Sequence, residues 1–182
     1  MAIDGLADKA GEENGGGLGG GVPLTGCATI FPFGSPCQNK FAPGGQDSLA
    51  VRINTAGPKI GSAITAVRVM APNAKVYVVG YPALLPESGS CFPQMPYTAS
   101  DVRYLRDTNK RLNAMLAGQA LLHGAIFVDT YTPTIGHDAC KSVTTRWIEP
   151  LVPGNAAAPV HPNAKGEAAM ATATIAKIRA TS

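Results

Sequence analysis

Two short, unbroken apolar runs set the architecture open to this chain. Val76-Tyr-Val-Val79 and Ala125-Ile-Phe-Val-Asp129 lack the alternation of a half-exposed strand, as expected of strands buried in a parallel sheet. Parallel neighbours need a long crossover. The stretch between the runs supplies one, with a helical stripe at Val102, Leu105, Leu112, Leu116 and Gln119. Thr98-Ala-Ser-Asp101 reads as its capping box, and Gly118 or Gly124 marks its end. Upstream, Asp47-Ser48 can cap a helix with Ile53, Ala56, Ile60, Ile64 and Val67 on one face, which Gly57-Pro58 should kink or restart. Ala71 to Lys75 is a turn, and a proline-rich loop runs from Tyr81 to Tyr97. Downstream, Asn163 is expected to cap a last helix that turns Ala168, Ala171, Ile175 and Ile178 inward. Helix–strand–helix–strand–helix order implies an α/β layer structure with a parallel sheet. Two strands make a narrow core, so further sheet is either missing or lies in residues 1–30.

The 182 residues suit one domain with a tail. Residues 1–26 hold nine glycines and are expected to be a flexible segment, leaving residues 27–182 as the folded domain. No apolar stretch approaches the ~20 residues of a membrane span. Charged residues are only 15%, and the net charge is +3. The densest basic cluster, Arg103, Arg106, Lys110 and Arg111, has helical spacing and is interrupted by Asp101 and Asp107. It reads as a solvated helix face, so nucleic acid is not an expected partner. The stretch Met1-Ala-Ile-Asp-Gly-Leu-Ala-Asp8 has neither the basic nor the apolar region of a signal peptide.

The cysteines pull the other way. Cys27, Cys37, Cys91 and Cys140 are even in number and contain no close metal-ligand pair. Cys27 and Cys37 flank the turn Phe31-Pro-Phe-Gly-Ser-Pro36, whereas Cys91 and Cys140 both follow expected strands. Two disulfides, Cys27–Cys37 and Cys91–Cys140, fit this placement and imply an oxidising compartment. Free buried thiols are the alternative.

Ligand sites in such folds gather beyond the C-terminal ends of the strands. Val160-His-Pro-Asn163 lies just before the last expected helix, so His161 stands where those ends open. An imidazole there suits a general base that takes a proton from a serine hydroxyl. A loop histidine that caps or packs fits the position equally well.

Further residues bear on that choice. Val78-Val-Gly-Tyr-Pro-Ala-Leu-Leu-Pro86, Val128-Asp-Thr-Tyr131, Gly136-His-Asp-Ala-Cys140, Arg146-Trp-Ile-Glu-Pro150 and Val160-His-Pro-Asn-Ala-Lys-Gly166 occur in this order. Together with the cysteine placement they resemble the SGNH or GDSL hydrolases, in particular the secreted actinobacterial esterases and lipases. The resemblance covers residues 27–182. It implies a flavodoxin-like three-layer α/β/α fold, here N-terminally incomplete, that hydrolyses carboxylic esters or lipids through an acyl-serine. It further implies an extracellular location and no cofactor.

Of the four blocks such enzymes use, only the histidine block is matched, by His161. The position three residues earlier, often an aspartate that orients the histidine, is Ala158, whose backbone carbonyl is the expected substitute; Asp138 is a weaker one. Asn14, beside glycines, is a degenerate echo of the oxyanion asparagine. Gln46-Asp-Ser-Leu49 imitates the Gly-Asp-Ser-Leu nucleophile block, but no apolar strand precedes it, and Ser48 is better read as part of a helix cap. Ser88 and Ser90 are turn serines. The expectation is therefore a chain of esterase ancestry with impaired turnover. Two rival readings stand beside it: a non-catalytic remnant that associates through an exposed sheet edge, and a metal-dependent enzyme using His137, Cys140 and His161.

Overall fold

The computed structural model describes residues 24–182. Its elements are α1 (Pro36–Phe41), α2 (Ser48–Met70), β1 (Tyr77–Val79), α3 (Ala99–Leu122), β2 (Ile126–Val128) and α4 (Ala164–Thr181), with single 3-10 turns at Leu24–Cys27, Pro43–Gly45 and Thr132–Thr134. The glycine-rich segment and Asn14 lie outside the described residues.

Strands β1 and β2 pair in parallel, with Tyr77, Val78 and Val79 opposite Ile126, Phe127 and Val128. Successive strand side chains point to opposite faces. Val78 packs with Ile64 of α2 and with Leu116 and Ala120 of α3. Its neighbour Tyr77 points the other way, and its hydroxyl meets Thr181 Oγ1 of α4 at 2.7 Å. The sheet is thus the middle of three layers, with α2 and α3 on one side and α4 on the other.

The expected N-caps are present, but the capping box at Thr98 is only half formed, because Asp101 Oδ1 accepts amides of α1 instead of the Thr98 amide. Asp47 Oδ1 accepts the Leu49 and Ala50 amides, each at 3.0 Å. Thr98 Oγ1 accepts the Asp101 amide at 3.1 Å. Asn163 Oδ1 accepts the amides of Lys165 and Gly166 at 3.0 and 3.2 Å. Helix α3 gives way to Gly124, whose φ of +68° suits a residue without Cβ.

Three expectations require correction. Pro58 does not divide α2, which runs unbroken from Ser48 to Met70. Its ring faces solvent, while the buried Gly57 and Gly61 lie against Met115 and Gln119 of α3 and His123 just after it. That close helix–helix contact offsets the hydrogen bond that proline removes. Asp101 does not interrupt the basic face of α3; it is buried, and its Oδ1 accepts the Cys37 and Gln38 amides at the start of α1. Finally, Ala168, Ala171, Ile175 and Ile178 are not turned into a core: Ile175 is 48% and Ile178 39% exposed. The two strands among the described residues are too narrow to cover a helix of this length, so α4 packs chiefly on β2 and the turn after it, with further contacts at its ends to Tyr77 and Trp147.

The larger core lies past the strand ends. Phe41, Leu49, Leu85, Met95, Tyr97, Val102, Leu105 and Ile148 form it together with both disulfides. This cluster fixes the loops from which the candidate site is built.

Candidate active site

His161 lies in the turn that enters α4. An antiparallel bridge joins Ile148 to Pro162 and holds this turn against residues 146–149. Across it, the Glu149 amide donates to His161 O at 2.9 Å and the Val160 amide to Glu149 O at 3.1 Å. The Asn163 amide donates to Trp147 O at 2.8 Å. Between them Val160, buried and β-branched, is held at φ 59°, a left-handed conformation costing about 1–3 kcal/mol that persists only where neighbours over-determine it.

The over-determination comes from Glu149, whose side chain is fully buried. Its Oε2 accepts Arg146 Nε and Nη2 at 3.1 and 2.7 Å and the amides of Gly154 and Asn155 at 2.8 and 3.1 Å. Its Oε1 accepts Asn155 Nδ2 at 2.7 Å and Asn163 Nδ2 at 2.8 Å. Burial alone would raise its pKa, but hydrogen bonds from Arg146, Asn155, Asn163 and the Gly154 amide hold the carboxyl far below the usual range. One charged group therefore ties together both sides of the histidine turn.

The imidazole itself is exposed. Its Nδ1 lies 2.8 Å from Pro159 O. A carbonyl can only accept, so the neutral ring carries its proton on Nδ1 and leaves the Nε2 lone pair free. Among the described residues Nε2 has no hydrogen-bond partner. Ala158 O takes the His161 backbone N–H at 3.1 Å, and Asp138 Oδ1 takes the Cys140 amide at 3.0 Å.

Ser48 occupies the first position of α2, and its Oγ donates to Phe41 O at 2.8 Å. No hydrogen bond joins it to His161. Cys27–Cys37 and Cys91–Cys140 both form disulfides, with S–S distances of 2.08 and 2.00 Å. Cys140 thus has no thiolate to offer a metal, and His137 stacks on Trp147 at 3.6 Å between ring centroids. No group of metal-ligating side chains occurs among the described residues. A groove of about 630 Å³ runs along α4 between Pro133, Trp147 and Ala168, Ala169, Ala173 and Ala176.

Comparison with known proteins places this arrangement. The GDSL-like Lipase/Acylhydrolase family model matches residues 32–169. The chain belongs to this family. It is 42% identical over 158 residues to Lipase 2 of Streptomyces coelicolor, covering 84% of this chain and 52% of that protein. Lipase 1 of the same organism is 27% identical over 152 residues, covering 84% and 53%. This GDSL-family chain therefore spans about half the length of the curated relatives it matches. The fold is shared with phospholipase A1 from Streptomyces albidoflavus (TM-score 0.57, 24% identity, 70% of this chain and 56% of that one). It is shared also with an extracellular lipase from Streptomyces rimosus (TM-score 0.56, 23% identity, 77% and 60%). It is the three-layer α/β/α arrangement of the SGNH hydrolases.

Sequence reasoning missed Glu149 and the second role of Asn163. A signal was available in Arg146-Trp-Ile-Glu-Pro150, where opposite charges three residues apart interrupt an otherwise apolar stretch. The carbonyl of Pro159 carries no sequence signal, since every residue has one.

Proposed function

We propose that this chain carries the general-base half of a carboxylic-ester hydrolase that works through an acyl-serine. The observation that carries this reading is the contact of His161 Nδ1 with Pro159 O, which leaves Nε2 as the free base on an exposed ring. In the first step Nε2 takes the proton from a serine hydroxyl as its oxygen attacks the ester carbonyl. The imidazolium then gives that proton to the departing alcohol, and water, deprotonated by the same nitrogen, releases the acid. Once the ring is positive, Pro159 O steadies it by accepting a hydrogen bond from Nδ1–H, which keeps its proton. The substrate is an ester or lipid, in keeping with the names lipase and phospholipase A1 borne by the relatives. The two disulfides and the extracellular relative support secretion.

Turnover by this chain alone is expected to be weak, because no described serine hydroxyl is hydrogen-bonded to His161. Ser48 is engaged with Phe41 O, and Asn14, the oxyanion candidate, lies outside the described residues. Each absent oxyanion donor costs about 10²–10³ in rate. Hydrolysis of p-nitrophenyl esters by the chain, by His161→Ala and by Ser48→Ala tests both parts. Weak turnover that persists in Ser48→Ala and falls in His161→Ala supports both parts, whereas weak turnover indifferent to His161→Ala removes His161 as the base. Rapid turnover lost in both overturns the impaired reading and makes Ser48 the nucleophile.

The edge of β1 left without a neighbouring strand among the described residues and the exposed Ile175 and Ile178 favour a second reading, a non-catalytic module covered by a partner or a second copy. A concentration-independent monomer in size-exclusion chromatography with light scattering counts against the second copy.

A further inference from the structure

We propose that the loop closed by the Cys27–Cys37 disulfide is an anchor that seats this protein on a zwitterionic lipid surface. The loop presents Ile30, Phe31 and Phe33 to solvent at 82%, 56% and 71% exposure, with the two rings 5.8 Å apart. Three large apolar side chains at one convex tip are unlike the scattered exposure of an ordinary surface. The disulfide that closes the loop and Phe41 just beyond it are buried in the larger core, so the loop is rooted there while these three side chains stay exposed.

The base of the loop is held on three sides. The disulfide closes it, the Thr29 amide donates to Pro96 O at 2.9 Å, and Ser100 Oγ donates to Gly34 O at 2.6 Å. The apolar tip is therefore presented in a fixed shape, and little ordering entropy is lost when it is buried.

Its chemistry suits lipid better than a protein groove. Between Leu24 and Gln46 there is no carboxylate, and the single charge is Lys40. No acidic group must be desolvated when the tip enters an apolar phase. The backbone fits as well: Pro32 has no N–H, and the Phe31 amide is already bonded to Thr29 Oγ1 at 3.0 Å. Lys40 donates to Gly26 O at 2.8 Å, which holds the segment's one ammonium beside the Cys27 end of the loop, where it could also meet headgroup phosphate oxygens. The exposed Arg103, three residues beyond Ser100 in α3, is a second cation near the Gly34 end of the loop. An aromatic tip on a segment whose only charge is Lys40, with the nearby Asp101 buried on the Cys37 and Gln38 amides, points to a phospholipid interface.

The test is sedimentation of the full chain with sucrose-loaded vesicles of diether phosphatidylcholine. These lipids contain no carboxylic ester, so binding is read without hydrolysis and stands or falls apart from the proposed esterase chemistry. The chain is expected to partition onto these vesicles, and Phe31→Ser with Phe33→Ser to lower partitioning by at least about tenfold. A minor fraction of phosphatidylglycerol should strengthen binding through Lys40 and Arg103. As a second measurement, Phe31→Trp, which keeps an aromatic at the tip, should show blue-shifted emission with vesicles and quenching by brominated lipid. Failure of the parent chain to bind, equal binding by the double variant, or unshifted emission from Phe31→Trp each overturns the proposal. So does a concentration-dependent dimer, abolished by the double substitution, in a chain that ignores vesicles, since the tip would then serve a second copy.

Discussion

The Asn163 side chain spends its oxygen on the first turn of α4 and its nitrogen on the buried Glu149 carboxylate, 2.8 Å away. Its amide orientation is therefore fixed. Turning it over would abandon the helix cap and set two acceptors against each other. Arg146 and two backbone amides fix the other Glu149 oxygen in the same way. Neither orientation of a glutamine satisfies this arrangement, because its NH₂ must face donors on either side.

It follows that Glu149→Gln, although isosteric, destabilises the protein by about 3–5 kcal/mol, since it leaves the Arg146 charge buried without a counter-ion. Urea unfolding measures the loss. In the folded fraction, ¹⁵N chemical shifts should show His161 losing its fixed Nδ1–H tautomer, a change that loss of global stability alone would not cause.

Acid should act through the same carboxylate. Glu149 ionises far more readily in the folded chain than at its ordinary value of 4.5, so the stability it contributes is fully present above that pH. The contribution declines as pH falls below about 4.5 and continues to fall through the strongly acid range. Glu87, bonded to Lys110 and Tyr131, is shifted in the same direction and adds a smaller, solvent-screened part. Urea midpoints measured from pH 7 down to pH 3 should drop steeply for the parent chain and less for Glu149→Gln.

Gly166 provides a steric test of how closely α4 must approach. A Cβ there would lie 2.4 Å from Trp147 O, the oxygen that accepts the Asn163 amide. Gly166→Ala, which would raise stability in an exposed helix, is expected to cost about 1–3 kcal/mol here. A neutral or higher melting temperature would contradict the close packing of α4 on the Trp147 backbone.

The two disulfides should differ in weight. Cys91–Cys140 closes 49 residues and Cys27–Cys37 only 10. Loop-closure entropy then gives about 4 kcal/mol for the first and about 3 kcal/mol for the second. Paired Cys→Ser variants, compared by denaturant midpoint, should rank in that order.

Local signals in the chain settled its elements. Asp47, Thr98 and Asn163 announce helix starts because a side-chain acceptor near its own backbone needs no tertiary partner. The apolar runs at Val76 and Ala125 mark the strands, and the order of elements implies an α/β layer structure with a parallel sheet, the three layers being what the family resemblance implied. Tertiary structure decided everything that depends on what lies opposite. Pro58 survives inside α2 because α3 packs against Gly57 and Gly61, and Asp101 leaves the basic face because α1 needs its carboxylate. The exposed face of α4 is the converse case: its stripe is written for burial, but the two strands among the described residues are too narrow to cover it. His161 was legible as a candidate base from its motif. What holds it, a carbonyl of Pro159 and a carboxylate twelve residues upstream, was not, because hydrogen bonds across a turn leave no period in the sequence.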